Sequence, residues 1–147
     1  RSGSSTIINQ SNRFIYGLAP GITGAVFRDN YIQISGNGKT VYTPSATALG
    51  TGVKVELVDC TTNIVLDTYC ILIFGDVNGD GNIDSIDAGL LVDIENKVIA
   101  WSKTLDAAYY LAGDLNNDGN IDSLDAGIAV DFENSVRNVN QQTGLAY

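Results

Sequence analysis

The chain has 147 residues, no histidine, no methionine and a formal net charge of −9 at pH 7. Without histidine, neither a Ser-His nor a Cys-His catalytic arrangement is possible, and no CxxC pair indicates a zinc site. The acidity disfavours nucleic acid and anionic membrane surfaces as partners, and no apolar stretch approaches the roughly 20 residues of a membrane span. Composition therefore favours a non-catalytic protein that neither binds nucleic acid nor inserts into a membrane.

The first half of the chain, residues 6–74, reads as β-rich. Residues 53–58 alternate between apolar and polar side chains, as in a half-buried strand, and residues 64–74 are dense in β-branched and aromatic side chains. Glycine-containing turns separate these runs from shorter strand candidates, and residues 22–28 allow one helical turn. We therefore expect residues 1–74 to form a small Ig-like β-sandwich. The shorter strand candidates are residues 13–16, 31–34 and 40–43.

The two cysteines flank a predicted hairpin between the two longer strands. A turn near Thr62 would pair Cys60 with about Ile64 and leave Cys70 several residues further along the strand. Direct cross-strand bonding is then geometrically poor. Two alternatives stay open, a disulfide or two small buried thiols.

Two near-copies of an acidic twelve-residue loop, DVNGDGNIDSID at residues 76–87 and DLNNDGNIDSLD at residues 114–125, lie 38 positions apart. An EF-hand-type calcium loop takes oxygen ligands from positions 1, 3, 5, 7, 9 and 12 and has glycine at position 6. A single DxNxDG could be a solvated turn, but two full matches with isoleucine at position 8 are hard to obtain by chance. We therefore predict two Ca²⁺ ions. The predicted ligands are Asp76, Asn78, Asp80, Asn82, Asp84 and Asp87 in the first loop and Asp114, Asn116, Asp118, Asn120, Asp122 and Asp125 in the second.

Each loop leads into a stretch with apolar residues at helical spacing, which predicts a helix over residues 85–99 and another after the second loop. Residues 76–96 and 114–134 differ at six of 21 positions and are identical at the other 15, so the segment is an internal duplication with repeats 76–99 and 114–137. Residues 105–111 allow a short connecting helix. The polar tail, residues 138–147, is expected to be loose unless its end packs back.

This arrangement resembles the dockerin family over residues 75–138. Each loop ends in aspartate, at Asp87 and Asp125, where calcium sensors carry glutamate, and a strand ending ILIFGD precedes the first loop where an EF-hand has a helix. The resemblance implies an all-α dockerin over residues 75–147 that binds a cohesin module when calcium is present. It further implies a non-catalytic, extracellular role, in which the module anchors its parent protein in a bacterial polysaccharide-degrading complex (a cellulosome) or on the cell surface. Residues 1–74 resemble, more weakly, the X module that precedes many dockerins.

The resemblance also implies a partner surface at loop positions 10 and 11 and on the exposed face of each following helix. The best-known dockerins have Ser-Thr at the loop pair and a basic pair on the helix, whereas this chain has Ser-Ile, Ser-Leu and Val-Asp, which favours a flatter, more apolar contact. Because the copies nearly match, we expect a dual binding mode related by a rotation of about 180°. The expected contact residues are Ser85, Ile86, Ala88, Gly89, Val92 and Asp93 in the first copy and Ser123, Leu124, Ala126, Gly127, Val130 and Asp131 in the second.

Glycine at positions 89 and 127 suggests close backbone approach, either by the partner or by the opposite helix, and both readings stay open.

Other functions compete with the adaptor reading. A glycosidase pair is disfavoured because eight of the 17 acidic residues belong to the loops, and a calcium sensor is disfavoured because there is no Met-rich groove. A calcium-stabilised structural cell-surface module without a cohesin partner is the main alternative. Direct carbohydrate binding through Tyr16, Tyr31 or Tyr42 is a further one for the β-rich part.

Overall fold

The computed structural model of the protein describes residues 1–45 and 47–147. Five strands form one sheet in the order β1-β2-β5-β4-β3. Neighbouring strands are antiparallel except β2 and β5, which pair in parallel. The strands are β1 (Ile7–Asn9), β2 (Phe14–Tyr16), β3 (Gly38–Thr43), β4 (Lys54–Asp59) and β5 (Val65–Ile71).

The predicted hairpin is present between β4 and β5. Its turn is held by Asp59, whose carboxylate oxygen Oδ1 accepts hydrogen bonds from the backbone N–H groups of Thr61 and Thr62 at 2.8 and 2.7 Å. Both cysteines are free thiols, Cys60 exposed at the turn and Cys70 half-buried in β5. Neither sequence alternative describes them fully, because there is no disulfide and only one thiol is even partly buried.

The predicted Ig-like sandwich is wrong, because the β-rich part contains one sheet. Residues 31–34, expected to form a strand, do not: Tyr31 is the last residue of a π-helical segment, Phe27–Tyr31, which follows a short helix, α1 (Gly24–Val26), and residues 32–34 are irregular. Phe27 is fully buried and lies with Ile15 and Val55 of the sheet around a cavity of about 300 Å³. Tyr31 and Tyr42 pack their rings 6.4 Å from that of Phe27. The helical segment thus covers the face that a second sheet would have covered.

Three further helices follow, α2 (Ser85–Glu95), α3 (Ala107–Gly113) and α4 (Ser123–Glu133). The loop helices are shorter than predicted because Lys97 and Ser135, which follow them, adopt left-handed backbone conformations at φ 60° and 58°. Asn96 and Asn134 end the helices by donating side-chain hydrogen bonds back to the carbonyls of Val92 and Val130.

The expectation of a separate all-α C-terminal domain is also wrong. One core cluster runs from Ile15 and Ile71 of the sheet to Leu91 of α2 and Ala129 of α4. The segment between β5 and the first loop belongs to this cluster through Leu72 and Ile73, and it is bonded to α3, because the N–H of Gly75 donates to the carbonyl of Ala112 at 2.8 Å. The chain is therefore a mixed α/β protein with one sheet and one core. The boundary predicted at residue 74 marks a change of secondary structure within that core.

The C-terminal tail packs back as a small hairpin in which Val139 pairs with Ala146. The side chain of Gln141 accepts from the N–H of Phe74 and donates to its carbonyl, both at 2.8 Å. Gln142 donates to the carbonyl of Ser5, so the hairpin joins the end of the β-rich part to the start of the chain. Among the described residues, no helix combines the length and apolarity that crossing a membrane requires.

Candidate functional site

Each acidic loop is closed by the carboxylate at its twelfth position. In the first loop, Asp87 Oδ1 accepts from the backbone N–H groups of Val77 and Asn78 at 2.8 and 3.0 Å, and Oδ2 accepts from that of Asp84 at 2.9 Å. Asp125 makes the corresponding three bonds in the second loop at 2.8, 3.1 and 3.0 Å. The last predicted ligand of each loop is therefore fixed against its first residues.

The first position of each loop also accepts backbone hydrogen bonds. Asp76 Oδ1 accepts from the N–H of Gly79 at 2.7 Å and Oδ2 from that of Gly81 at 3.0 Å. Asp114 accepts from the N–H groups of Asp118 and Gly119, both at 3.0 Å. The loop backbone thus wraps around this carboxylate in both copies.

The third and fifth positions form consecutive Asx turns. Asn78 Oδ1 accepts from the N–H of Asp80, and Asp80 Oδ1 accepts from that of Asn82, both at 2.8 Å. The second loop repeats this pattern at 2.9 Å for both bonds. Gly81, at the sixth position, has φ 89°, a backbone conformation that residues other than glycine rarely adopt. The two loops thus share these Asx turns and the bonds to the twelfth position, and differ in one donor to the first, which is the fourth residue in the first loop and the fifth in the second.

The ninth position connects each loop to its helix. Asp84 is the N-cap of α2: its side chain accepts from the N–H of Ile86, and its own N–H donates to Asp87, a capping box. Asp122 and Asp125 form the same box at the start of α4. Two predicted ligands in each loop therefore also set where the helix begins, which couples loop geometry to helix position.

Burial raises the free-energy cost of ionising three of the eight loop carboxylates. Asp76, Asp87 and Asp125 are fully buried, and burial raises the pKa of all three, that of Asp76 to about 7. Hydrogen bonds from Asn120 and Asn116 instead lower the pKa of the exposed Asp118. Within residues 1–45 and 47–147, none of the eight loop carboxylates is ion-paired with lysine or arginine.

The donors fit a hard divalent cation. No three His, Cys, Asp or Glu side chains converge as a metal site in the described part of the chain, so carboxylates alone do not form one. The predicted ligands of each loop are carboxylates, an asparagine side-chain oxygen and a backbone carbonyl, an all-oxygen set of the kind that calcium prefers, whereas zinc is bound mostly by cysteine and histidine. Buried carboxylates without a cationic side-chain partner are also what such an ion would compensate.

Two residues beside the first loop were not predicted to belong to the site. Thr51, in the β-rich part, is buried and donates its N–H to Asp76 Oδ2 at 2.8 Å. The Tyr109 side chain contacts Gly52 and also lies close to Gly79 in the first loop. The only sequence signal was the Gly-Thr-Gly triplet at 50–52, which reads as an ordinary turn.

The predicted contact residues divide by burial. Ile86 and Leu124 are 61% and 65% exposed, and Val92 and Val130 are 37% and 39% exposed, so the copies are closely matched. A Cβ atom added at Gly89 or Gly127 would meet nothing within 4 Å. Ser85 and Ser123 are exposed, whereas Asp93 and Asp131 are half-buried. Ala88 and Ala126 are buried beneath the surface and do not lie on it.

A known family model matches the segment that contains these loops. Residues 74–128 match the model of the dockerin type I domain family. The match contains both loops and ends within α4, so it covers the first repeat in full and the start of the second helix. No curated protein and no solved structure shows significant similarity to the chain.

Proposed function

We propose that this chain is a calcium-dependent assembly module that binds a cohesin through the exposed faces of α2 and α4. Dockerin type I domains are non-catalytic modules that bind cohesins, bind calcium and occur typically in extracellular cellulosomes; the match over residues 74–128 supports the same role here. The observation that carries the proposal is the pair of loops, each closed by the same three hydrogen bonds to its twelfth residue and each leading through a capping box into a helix with an exposed face.

Two Ca²⁺ ions, one in each loop, are part of the proposal. Bound calcium would supply positive charge to four carboxylates in each loop, including the buried Asp76, Asp87 and Asp125. Because Asp84 and Asp122 are both predicted ligands and helix N-caps, loss of the ion would loosen the first turn of α2 or α4. Cohesin binding should therefore require calcium.

The glycines at positions 89 and 127 support a partner on this face. The opposite helix does not explain them, since open space surrounds the Cβ position at both. Glycine in a helix interior costs about 0.5 to 1 kcal/mol relative to alanine, so the fold alone would favour alanine here. A partner backbone that approaches the helix closely accounts for the glycines in both copies.

The chemistry of the face suggests which cohesin fits. Ile86 and Val92 in the first copy, and Leu124 and Val130 in the second, are the exposed apolar side chains, with Ser85 and Ser123 beside them. We expect a cohesin with a flat, largely apolar surface and little acidic charge, because Asp93 and Asp131 replace the basic pair of the best-known dockerins.

The role proposed for residues 1–74 is that of an X-module-like accessory part that braces the dockerin segment, residues 75–147. Their shared core supports this role. Tyr31 and Tyr42 pack on Phe27, and Tyr16 packs on Phe74 at 6.1 Å between ring centroids, which supports a packing role for these aromatic side chains. We propose an extracellular location, where calcium is abundant, and anchoring of a parent protein in a polysaccharide-degrading complex or on a bacterial cell surface.

The deciding experiment is calorimetric titration of the full chain against a panel of cohesins, once with calcium and once with a chelator. One-to-one binding that is lost with the chelator is the expected result. If no cohesin binds while calcium still raises the melting temperature, the chain is a calcium-stabilised structural module and the cohesin-binding proposal fails.

The matched faces support two binding orientations. Polar substitution of Leu124 and Val130 should leave binding through the first copy, and substitution of Ile86 and Val92 should leave binding through the second. Only the fourfold variant should lose binding. Loss of binding in the first of these variants, with no effect of the second, would exclude the dual mode.

A further inference from the structure

The first loop is packed against the β-rich part of the chain. Thr51 is 1% exposed and donates its backbone N–H to Asp76 Oδ2, a predicted metal ligand, at 2.8 Å. Its hydroxyl is anchored in turn: Oγ1 donates to the carbonyl of Ile73 at 3.1 Å and accepts from the N–H of Ile73 at 3.0 Å. Thr51 therefore connects the segment that follows β5 to the carboxylate at the first loop position.

The backbones on the two sides of this contact touch without intervening side chains. The N–H of Gly21 donates to the carbonyl of Gly81 at 2.7 Å. A Cβ atom at Gly81 would lie 2.7 Å from the carbonyl oxygen of Leu49, and one at Gly50 would collide with the carbonyl of Gly79. Glycine is thus required on both sides of the contact, as expected where two backbones must approach closely.

Within the part of the chain that the structure describes, the second loop has no such wall. Asp114 accepts hydrogen bonds only from backbone groups of its own loop, among the residues that the structure describes. A Cβ atom added at Gly119 would meet nothing within 4 Å. Its bonds to residues outside the loop go elsewhere: the carbonyl of Gly119 accepts from Lys103 Nζ at 2.8 Å and Tyr110 OH at 3.0 Å, and the backbone N–H of Asp114 donates to the carbonyl of Tyr110 at 3.2 Å. The two loops are thus repeats in sequence but have different neighbours in the fold.

We propose that residues 49–52 form a fixed outer wall of the first loop, with Thr51 as a positioning residue for Asp76, so that the first loop binds calcium more tightly than the second. The inference rests on the proposed function, because it takes calcium as the ligand of both loops. Its physical basis is preorganisation: the Asp76 carboxylate is held by the folded sheet, and less chain has to be ordered when the ion binds. One extra hydrogen bond to a charged group corresponds to roughly 10- to 100-fold in an equilibrium constant.

The sites can be assigned with the full-length chain. Asp80→Ala and Asp118→Ala each remove the exposed ligand at the fifth position of one loop and leave the wall untouched. Calcium titration followed by calorimetry should show a tight site that survives Asp118→Ala and is lost in Asp80→Ala, with affinities at least about 10-fold apart. Trp101 provides a second readout, because its ring lies 5.7 Å from that of Tyr109, which reaches the first loop at Gly79.

The wall itself is tested by Gly50→Ala, which pushes a methyl group against Gly79. Only the tight site should weaken, by about 10-fold or more, while the affinity measured for the second loop stays unchanged. Gly24→Ala is the matched control, since its added methyl group would meet the Tyr42 ring within the β-rich part and touch neither loop. If Gly50→Ala does not fold, the affinity ratio between the Asp80→Ala and Asp118→Ala proteins decides the question.

Three outcomes separate this inference from the proposed function. Equal calcium affinities in the two single-loop variants would overturn the inference and leave the cohesin proposal intact, and so would a Gly50→Ala change that affects both sites alike. Tighter calcium binding at the first loop than at the second, without any cohesin binding, would support the inference and remove the adaptor role. No calcium binding at either loop would overturn both.

Discussion

Replacing Gly89 and Gly127 with alanine should make the protein more stable and its partner binding weaker. Both glycines lie in the middle of exposed eleven-residue helices, and the added methyl group would meet nothing at either position. Stability and binding are therefore expected to change in opposite directions, which distinguishes a glycine kept for a partner from one kept for the fold.

The size of the stability change follows from helix propensity. Glycine to alanine in an exposed helix interior contributes about 0.5 to 1 kcal/mol, and the two sites should add because neither methyl group contacts anything else, giving about 1 to 2 kcal/mol for the double variant. For a chain of 147 residues, 1 kcal/mol raises the melting temperature by about 2 to 4 °C. The double variant should thus melt about 2 to 8 °C higher.

The assay is thermal unfolding by circular dichroism in saturating calcium, followed by titration with the cohesin that the panel identifies. Gly113→Ala is the control: it is also helical, but its methyl group would meet Leu91 at 2.9 Å and Ile121 at 3.1 Å, so it should destabilise. Each single variant should lose at most about half of the affinity, because the other copy still binds, and the double variant about 10-fold or more. A double variant that is no more stable than the original would refute the helix argument. A stabilised double variant with unchanged cohesin affinity would refute the partner argument.

Three further predictions concern the core, the tail and the thiols. Because sheet and helices share one core, adding a chelator should lower a single melting transition seen by both far-ultraviolet circular dichroism and Trp101 fluorescence; two separate transitions would contradict the shared core. Gln141→Ala should cost about 1 to 3 kcal/mol in urea unfolding, since it leaves the N–H and carbonyl of Phe74 without their partner, whereas the exposed Gln142→Ala should cost less. In thiol labelling of the native protein, Cys60 should react quickly and Cys70 slowly, because burial raises the pKa of the Cys70 thiol; equal rates would argue against the observed placement of β5.

The sequence predicted best the features that depend on local chemistry. The loops follow from residues within twelve positions of one another, and the β4–β5 hairpin follows from alternation on both sides of a turn predicted near Thr62. The start of the first loop helix near Ser85 was predicted as well, from the apolar spacing after the loop, and the structure adds that Asp84 and Asp122 are the N-caps. Helix ends were not, since Val98 and Val136 continue the apolar period while the backbone has already turned at Lys97 and Ser135.

The errors lie in tertiary arrangement. Residues 31–34 have strand composition, but Tyr31 ends a helical segment whose Phe27 is fully buried, and strand propensity yields to such tertiary packing. Separate domains were expected because the pattern changes at Gly75, and a change of period says nothing about whether two segments bury the same surface. The role of Thr51 could not be predicted for a related reason: it depends on a hydrogen bond from its backbone N–H to Asp76, which lies 25 residues away in sequence.

The shared core gives the two-orientation proposal a geometric consequence. In a chain of two loosely joined domains, turning the helices on a partner would leave the preceding domain free to settle anywhere. Here Gly75, Gln141 and the wall at residues 49–52 hold the sheet against the loops, so the sheet must turn with them. Binding through one copy or the other would then direct the sheet, and any chain attached to it, to opposite sides of the same partner, giving one assembly two distinct layouts.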